Sequence, residues 1–559
     1  MTNQRTILWA LFAAMAFLTW SKWQVEHSPT IETEQVAALT GEEQSQPASV
    51  TATDTSPRID ELPLMSDSSL PQSAAETPAT TTIAPAKEEQ FISIKSDVLD
   101  LRISKTGGTL VGAALRKYPK HKDEPGVPVQ LLHEEKDAPY VLISGLVDSS
   151  RGGPTHLAPL QTDTDLYELK AGTDVLEVPL YWTANGITVE KIYRLTRGSY
   201  AIGVEYKVHN QSQENWRVLN YLQIRRLHKP PERSMFDVDT YSFNGPVIYD
   251  GKKYGKLEPE DLAKEPVDQK LAGGWIASIE HHFVSAAVPP PDKEFSYDAN
   301  YTAGIATVRA NGPTYDVAPG EQTVFSATFF VGPKLQDQLE ETAPGLALTV
   351  DYGLLSILAQ PLFWLLQKVY DLFGNWGWTI IFVTFLIKLA FYKLTEASGR
   401  SMAKMRKLQP RLKSLQERYK DDKQALSQHM MALYKEEKVN PAAGCLPMVI
   451  QIPFFIAFYW VLLESVEMRQ APFALWITDL SSRDPYFVLP LLMGIAMFVQ
   501  QKLNPAPPDP VQAKIMMLMP IMFTGFFAFF PSGLVLYWLT NSVLSVIQQW
   551  NINRKMAVD

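Results

Sequence analysis

One side chain in this sequence sits where its chemistry is costly. Lys388 interrupts an apolar run from Trp376 to about Tyr392. At about 1.5 Å of rise per helical residue it falls roughly 15 Å below Trp378 and about 8 Å above Lys393. An ammonium facing lipid there costs at least a few kcal/mol, so it must face protein or water. A lysine near a helix end can reach water along its own stem, but the neighbours favour another reading. Thr384, Lys388, Tyr392 and Thr395 recur at helical spacing and form one polar stripe. Tyr537, Asn541, Ser545 and Gln548 mark a second stripe, and Gln451 and Thr524 lie inside two further apolar runs. One polar residue in such a run usually bonds a neighbouring helix. Several stripes and a charge together point to a shared hydrated cavity.

Covalent chemistry finds little support. No nucleophile elbow, P-loop or HExxH pattern occurs. Glu280, His281 and His282 suggest a metal or sugar site. Neighbouring strand residues point to opposite faces, however, so the two imidazoles should not converge on one ligand. Asn210-Gln211-Ser212 and Asn300-Tyr301-Thr302 match the glycosylation pattern, a match too short to weigh. Neither a cofactor nor a metal is expected.

At 559 residues several units are needed, and a net charge of −9 argues against nucleic-acid specificity. The single cysteine, Cys445, precludes an intrachain disulfide. Residues 6–21 form 16 uncharged positions closed by Trp20 and Trp23, without the small-x-small pattern of a cleavage site. Residues 1–23 are therefore expected to be an uncleaved signal-anchor helix, followed by a disordered linker, 24–89, too polar to fold. Towards the C-terminus, 439–463 is uncharged for 25 residues, 485–501 for 17 and 515–553 for 39. Pro531-Ser532-Gly533 divides the last of these into two runs. Residues 352–367 are also uncharged, but counting them as a span would place 396–440 outside. That loop carries 11 Lys and Arg, whereas 464–486 carries only Arg469 and Arg483. The basic loop belongs in the cytoplasm, so 354–370, broken by Pro361, should lie flat at the outer interface.

The expected fold is a polytopic α-helical membrane protein of six transmembrane helices with a large periplasmic all-β sandwich. The first span is 1–23; the others are 372–395, 441–464, 485–503, 514–530 and 533–553. The sandwich occupies 90–335, and 336–371 connects it through the interfacial helix. A cytoplasmic helical hairpin fills 396–440, with Pro410 as a break and Asp421-Asp422 as the turn. The remaining segments are a periplasmic loop at 465–484, a cytoplasmic loop at 504–513 and a tail at 554–559. Both termini are cytoplasmic. Strict alternation at Tyr200, Ile202, Val204, Tyr206 and Val208, and again at Phe325, Ala327, Phe329 and Val331, predicts half-buried strands. Asn185-Gly186 predicts a hairpin turn.

The membrane part carries Gly374-Asn375-Trp376-Gly377, Ser401-Met402-Ala403-Lys404-Met405, Met430-Met431-Ala432-Leu433-Tyr434-Lys435 and Gly444-Cys445. It continues with Gln470-Ala471-Pro472-Phe473-Ala474-Leu475-Trp476-Ile477 and Phe530-Pro531-Ser532-Gly533-Leu534-Val535-Leu536-Tyr537. In this order the motifs cover nearly all of 350–550 and closely resemble the YidC insertase family of Gram-negative inner membranes. The resemblance implies an insertase and chaperone for membrane proteins, not an enzyme, working alone or with the Sec translocon. It also implies a hydrated, positively charged groove open to cytoplasm and lipid and closed outside. Lys388 is its charge, lined by Thr384, Gln451, Thr524, Tyr537 and Asn541. Clients would slide over Phe455, Met493 and Phe526, with Trp538 nearby. At the position of Lys388 the family typically has arginine; lysine keeps the charge but loses the planar fork that grips a carboxylate.

Partners implied are nascent membrane proteins, Sec components and lipids. Ribosome-bound chains would be held only weakly, since Arg554 and Lys555 make a thin basic tail. The β domain is implied to resemble sugar mutarotases in fold without known catalysis. Two other classes compete, a secondary transporter and a tethered periplasmic sugar-binding enzyme. The first lacks a visible inverted repeat, and the second leaves five apolar runs unexplained.

Overall fold

A computed structural model describes residues 90–558 apart from 136–137, 151, 229–241, 259–260, 263–266, 420–421, 438, 440–445 and 504–509. The first span, the linker, the Gly444-Cys445 motif and most of the 504–513 loop lie outside the described residues.

The alternating segments become strands. Ala201–Asn210 buries every second residue, and Gln322–Pro333 pairs with it in antiparallel register, Phe325 opposite Tyr206. Asn185 (φ 51°) and Gly186 (φ 75°) turn Val175–Ala184 into Ile187–Thr196, because both positions need left-handed backbone. The strands build one eleven-stranded and one eight-stranded sheet. Side chains cross between them: Tyr206 donates to Ser144 Oγ at 2.9 Å, and Tyr140 to the Ser278 carbonyl at 3.1 Å. Lys191 lies in the same interior, 2% exposed, its ammonium donating to the carbonyls of Gly107, Gly108 and Ser144 at 3.0–3.2 Å. Burial holds its pKa well below the ordinary lysine value. Asn210 is fully buried and donates to the Glu214 and Val317 carbonyls at 2.8 Å each, so the asparagine of its glycosylation-like triplet is shut inside the domain.

Helices follow: α1 (Gln336–Thr342), α2 (Ser356–Phe373), α3 (Trp376–Ala390), α4 (Tyr392–Arg418), α5 (Lys423–Glu436), α6 (Leu446–Glu464), α7 (Val488–Leu503), α8 (Pro510–Phe527) and α9 (Ser532–Val558). Taken singly, no described helix is long and apolar enough to cross a bilayer; α3 and α4 together, bent by 68°, could be. Two proline expectations fail. α2 runs through Pro361 and α4 through Pro410. A proline inside a helix removes one hydrogen bond; in α2 the burial of Leu362, Phe363, Leu366 and Val369 outweighs that loss. One compact unit takes in Lys407–Asn440. Within it Asp422 caps α5 by accepting from Gln424 N and Ala425 N, and Arg411 pairs with Glu437 at 2.6 Å.

In the other unit one continuous apolar core joins the sandwich to the helices, and polar groups add to it at the C-terminal end of α6. Arg469 donates to the Pro119 and Lys120 carbonyls at 3.0 and 3.1 Å, and Ser242 donates to Glu464 Oε1 at 2.6 Å. Tyr352 is fully buried here and accepts from Gln336 Nε2 at 2.6 Å. His281 and His282 correct the expectation drawn from strand geometry. They occupy the turn between Trp275–Ile279 and Phe283–Val288, where alternation does not apply. Their rings stack at 3.8 Å, and His281 Nε2 donates to the Leu463 carbonyl at 2.9 Å. They are parts of that junction.

Glu467, in the short turn Val466–Met468, is pushed up to about 7 by burial, with Asp337 adding to the rise. A carboxyl raised in the folded state favours folding below its unfolded pKa, and that contribution is lost as pH climbs through about 7. Stability should therefore fall between pH 4.5 and 7, by as much as about 3 kcal/mol from this group. Glu467→Gln should flatten that slope and raise stability at pH 7.5. Unfolding midpoints of the full chain at pH 5 and 7.5 check this, and parallel slopes for both proteins would refute it.

Candidate functional site

Lys388 stands in the last turn of α3, not partway along a longer helix as spacing from Lys393 suggested, because the chain bends at Phe391. A cation there meets the negative end of the helix dipole. Its side chain is 9% exposed, and Nζ donates to Ser545 Oγ on α9 at 2.7 Å. Ser545 in turn donates to the Asn541 carbonyl at 2.7 Å, so the ammonium closes a short chain from α3 to α9. One turn further along, Gln548 Nε2 donates to Thr395 Oγ1 at 2.7 Å. The two polar stripes read from the sequence thus face one another.

The other polar positions are used differently. Thr384 is buried and returns its hydroxyl to the Ile380 carbonyl at 2.6 Å; Thr524 does the same to Pro520 at 2.7 Å. Gly494 lets α7 close on Thr524, for a Cβ there would stand 2.0 Å from its Oγ1. Gln451 is half-buried on α6, three residues before Phe454, whose ring meets Phe391 edge-on at 5.2 Å. Tyr537 is buried and stacks on Phe458 at 4.4 Å.

The aromatic positions form a run. Phe455 meets Trp538 edge-on at 4.6 Å, Trp538 meets Phe527 at 5.4 Å, and Phe527 meets Phe526 at 5.5 Å. Phe526 is exposed, whereas Met493 is fully buried. Sequence reasoning missed Phe527 and Phe458; only the neighbouring Phe526 and Phe455 hinted at them. α9 packs along α7 and α3, α7 along α8, and α2 along α6 and α3, while α9 touches α6 only lightly. No extended packing joins α6 to α8 among the described residues.

At the end of the helices where α3 begins, a hydrogen-bonded loop that composition alone did not reveal ties the segments together. Asn375 caps α3 by accepting from Trp378 N and donates to the Phe473 carbonyl at 3.0 Å. Phe473 lies so close to Gly377 that a Cβ there would stand 1.9 Å from the ring. Asp479 accepts from Gln470 N, Ser481 N and Ser482 Oγ, and Asp484 from Trp476 Nε1, Tyr486 N and Leu489 N. Ser532 at the start of α9 donates to the Asp479 and Ser482 carbonyls at 2.8 and 2.6 Å. The density of Asp and Ser between 479 and 484 was the available signal.

Among the described residues, no three of His, Cys, Asp and Glu gather to hold a metal ion. The arrangement offers one sheltered cation, a hydrogen-bonded loop across one end of the helices and a loosely packed side between α6 and α8.

The family described as 60Kd inner membrane protein matches residues 368–559, and the YidC periplasmic domain matches 91–365. A membrane protein insertase YidC of Thioalkalivibrio sulfidiphilus is 46% identical over the whole chain and 99% of its own length. That of Methylococcus capsulatus is 44% identical, again over the whole chain and 99% of its own length. A crystal structure of an active YidC insertase with its first transmembrane domain resolved matches 83% of this chain and 92% of its own, at 18% identity and a TM-score of 0.38. The chain belongs to the YidC family of membrane protein insertases.

Proposed function

We propose that this chain inserts and helps fold integral membrane proteins in the bacterial inner membrane, alone or with the Sec translocon, without making or breaking a covalent bond. The observation that carries the reading is the Lys388 ammonium, sheltered between α3 and α9 under a closed outer loop. A client's acidic flank enters from the cytoplasm and exchanges with Ser545 for that ammonium. Its apolar segment leaves along Phe455, Trp538 and Phe526, backed by the buried Phe527, where α6 and α8 are not packed together. Support comes from family membership, from the polar stripes facing one another and from the exposure of Phe526. The arrangement in the bilayer is six spans with both termini cytoplasmic, the hairpin inside and the sandwich in the periplasm.

Photocrosslinkers at Phe455 and Phe526 should capture a stalled nascent membrane protein carrying one apolar segment, and should not capture a stalled soluble chain. Equal capture of both, or of neither, would sink the reading. Topology is checked separately with Cys445→Ser as background. Arg483→Cys, from an exposed charged position of the 465–484 loop, should react with an impermeant thiol reagent in spheroplasts, and Lys404→Cys should not; the reverse pattern would overturn the six-span arrangement.

A further inference from the structure

Leu475 is the most exposed large apolar side chain among the described residues, at 86%. Its backbone is left-handed, φ 55°, a conformation that a leucine adopts only when its surroundings impose it. Here they do. Ile477 N donates to the Ala474 carbonyl at 3.0 Å, Phe473 N to the Ile477 carbonyl at 2.9 Å, and Leu480 N to the Ala471 carbonyl at 2.9 Å. Asp484 pins Trp476 through its indole N–H at 3.0 Å. The protein thus holds a strained turn whose result is to push one leucine away from itself.

Its surroundings indicate what that leucine meets. From Gln470 to Thr478 the loop carries no charge. Phe473 packs edge-on against Trp378 at 5.5 Å, and Trp378 is itself 53% exposed in the first turn of α3. Below it on the same helix, Phe382 and Phe385 are exposed; Phe382 adjoins Phe373 of α2 at 5.3 Å, next to the exposed Leu372. The exposed Tyr486 meets Trp476 edge-on at 6.4 Å. Tryptophan and tyrosine collect at the boundary between headgroups and acyl chains, and an uncharged projecting tip loses little on leaving water.

We propose that the loop tip at Leu475 is a membrane anchor seated in the outer leaflet, its partner the glycerol and upper acyl region of phospholipid. The anchor rests on the membrane reading above. It would fix the depth of the closed outer loop, and hence the depth of Lys388 below it. Lipid is favoured over a protein partner because the tip continues the exposed apolar faces of α2 and α3 and carries no charge to set a register.

The test is a nitroxide label at Leu475→Cys, in Cys445→Ser background, on the full chain in phospholipid nanodiscs. Relaxation by oxygen, which partitions into lipid, is compared with relaxation by a water-soluble nickel chelate. Ile521→Cys, from an exposed position on α8, gives the lipid reference; Lys252→Cys, from an exposed turn of the sandwich, gives the water reference. The oxygen-to-nickel ratio at 475 should exceed that at 252 severalfold and approach that at 521. A ratio at 475 equal to that at 252 would overturn the anchor. So would an immobile label shielded from both reagents, which would mean a protein partner or second copy covers the tip. If the label at 521 also reads as water, the membrane reading itself fails, and the anchor with it.

Discussion

Lys388→Ala should sharply reduce insertion of a single-span client with an acidic flank and largely spare an otherwise identical client with a neutral flank. One unit pair at about 5 Å and an effective dielectric near 20 is worth roughly 3 kcal/mol, a bias of about a few hundredfold at most. Lys388→Glu should be worse for the acidic client, because the same term changes sign. Lys388→Arg should be nearly silent if charge alone matters, although its longer planar head cannot repeat the single bond to Ser545 in the same geometry. Protease protection of paired clients differing only in flank charge gives the yields. Equal defects for both would leave Lys388 as a strut between α3 and α9 and remove electrostatics from the mechanism.

Glu464→Leu should lower the stability of the full chain by about 1–3 kcal/mol, the usual cost of leaving a buried polar partner, here Ser242, without its acceptor. Glu464 is 3% exposed and accepts from Ser242 at 2.6 Å, and its charge acts at longer range on the equally buried Lys334, 2% exposed. Burial lowers the Lys334 pKa to about 8, while Glu464 and Asp351 pull it back up. Without Glu464 that cation keeps its desolvation cost and loses part of its compensation. Glu464→Gln, which can still accept from Ser242, should cost less. Adding Lys334→Met to Glu464→Leu should recover the part of the loss that comes from the less compensated Lys334 cation. Unfolding midpoints of the four proteins in detergent settle the matter; additive losses would mean that the two residues do not interact.

Much of this molecule was legible residue by residue. Alternation at Tyr200–Val208 was visible because a sheet with one buried face imposes a period of two, and Asn185-Gly186 because few residues accept left-handed backbone. Lys388 was visible because a charge in an apolar run is costly. What failed were local rules applied without their neighbours. Pro361 and Pro410 each remove one bond from a helix that the surrounding residues still hold. His281 and His282 were read as strand residues and fall in a turn. The partner of Lys388 lies 157 positions away, and the loop that carries Phe473 is tied to a segment 98 positions away. Such pairings are set by how helices pack, and no local periodicity encodes them.

The enclosed Lys191 turns the sandwich into its own clock. An amine held by three carbonyls and out of reach of water cannot be acylated by a reagent in solution while the sheets stay closed. Its rate of modification, followed by mass spectrometry beside the exposed Lys252, therefore counts the openings of the outer domain in an otherwise working protein.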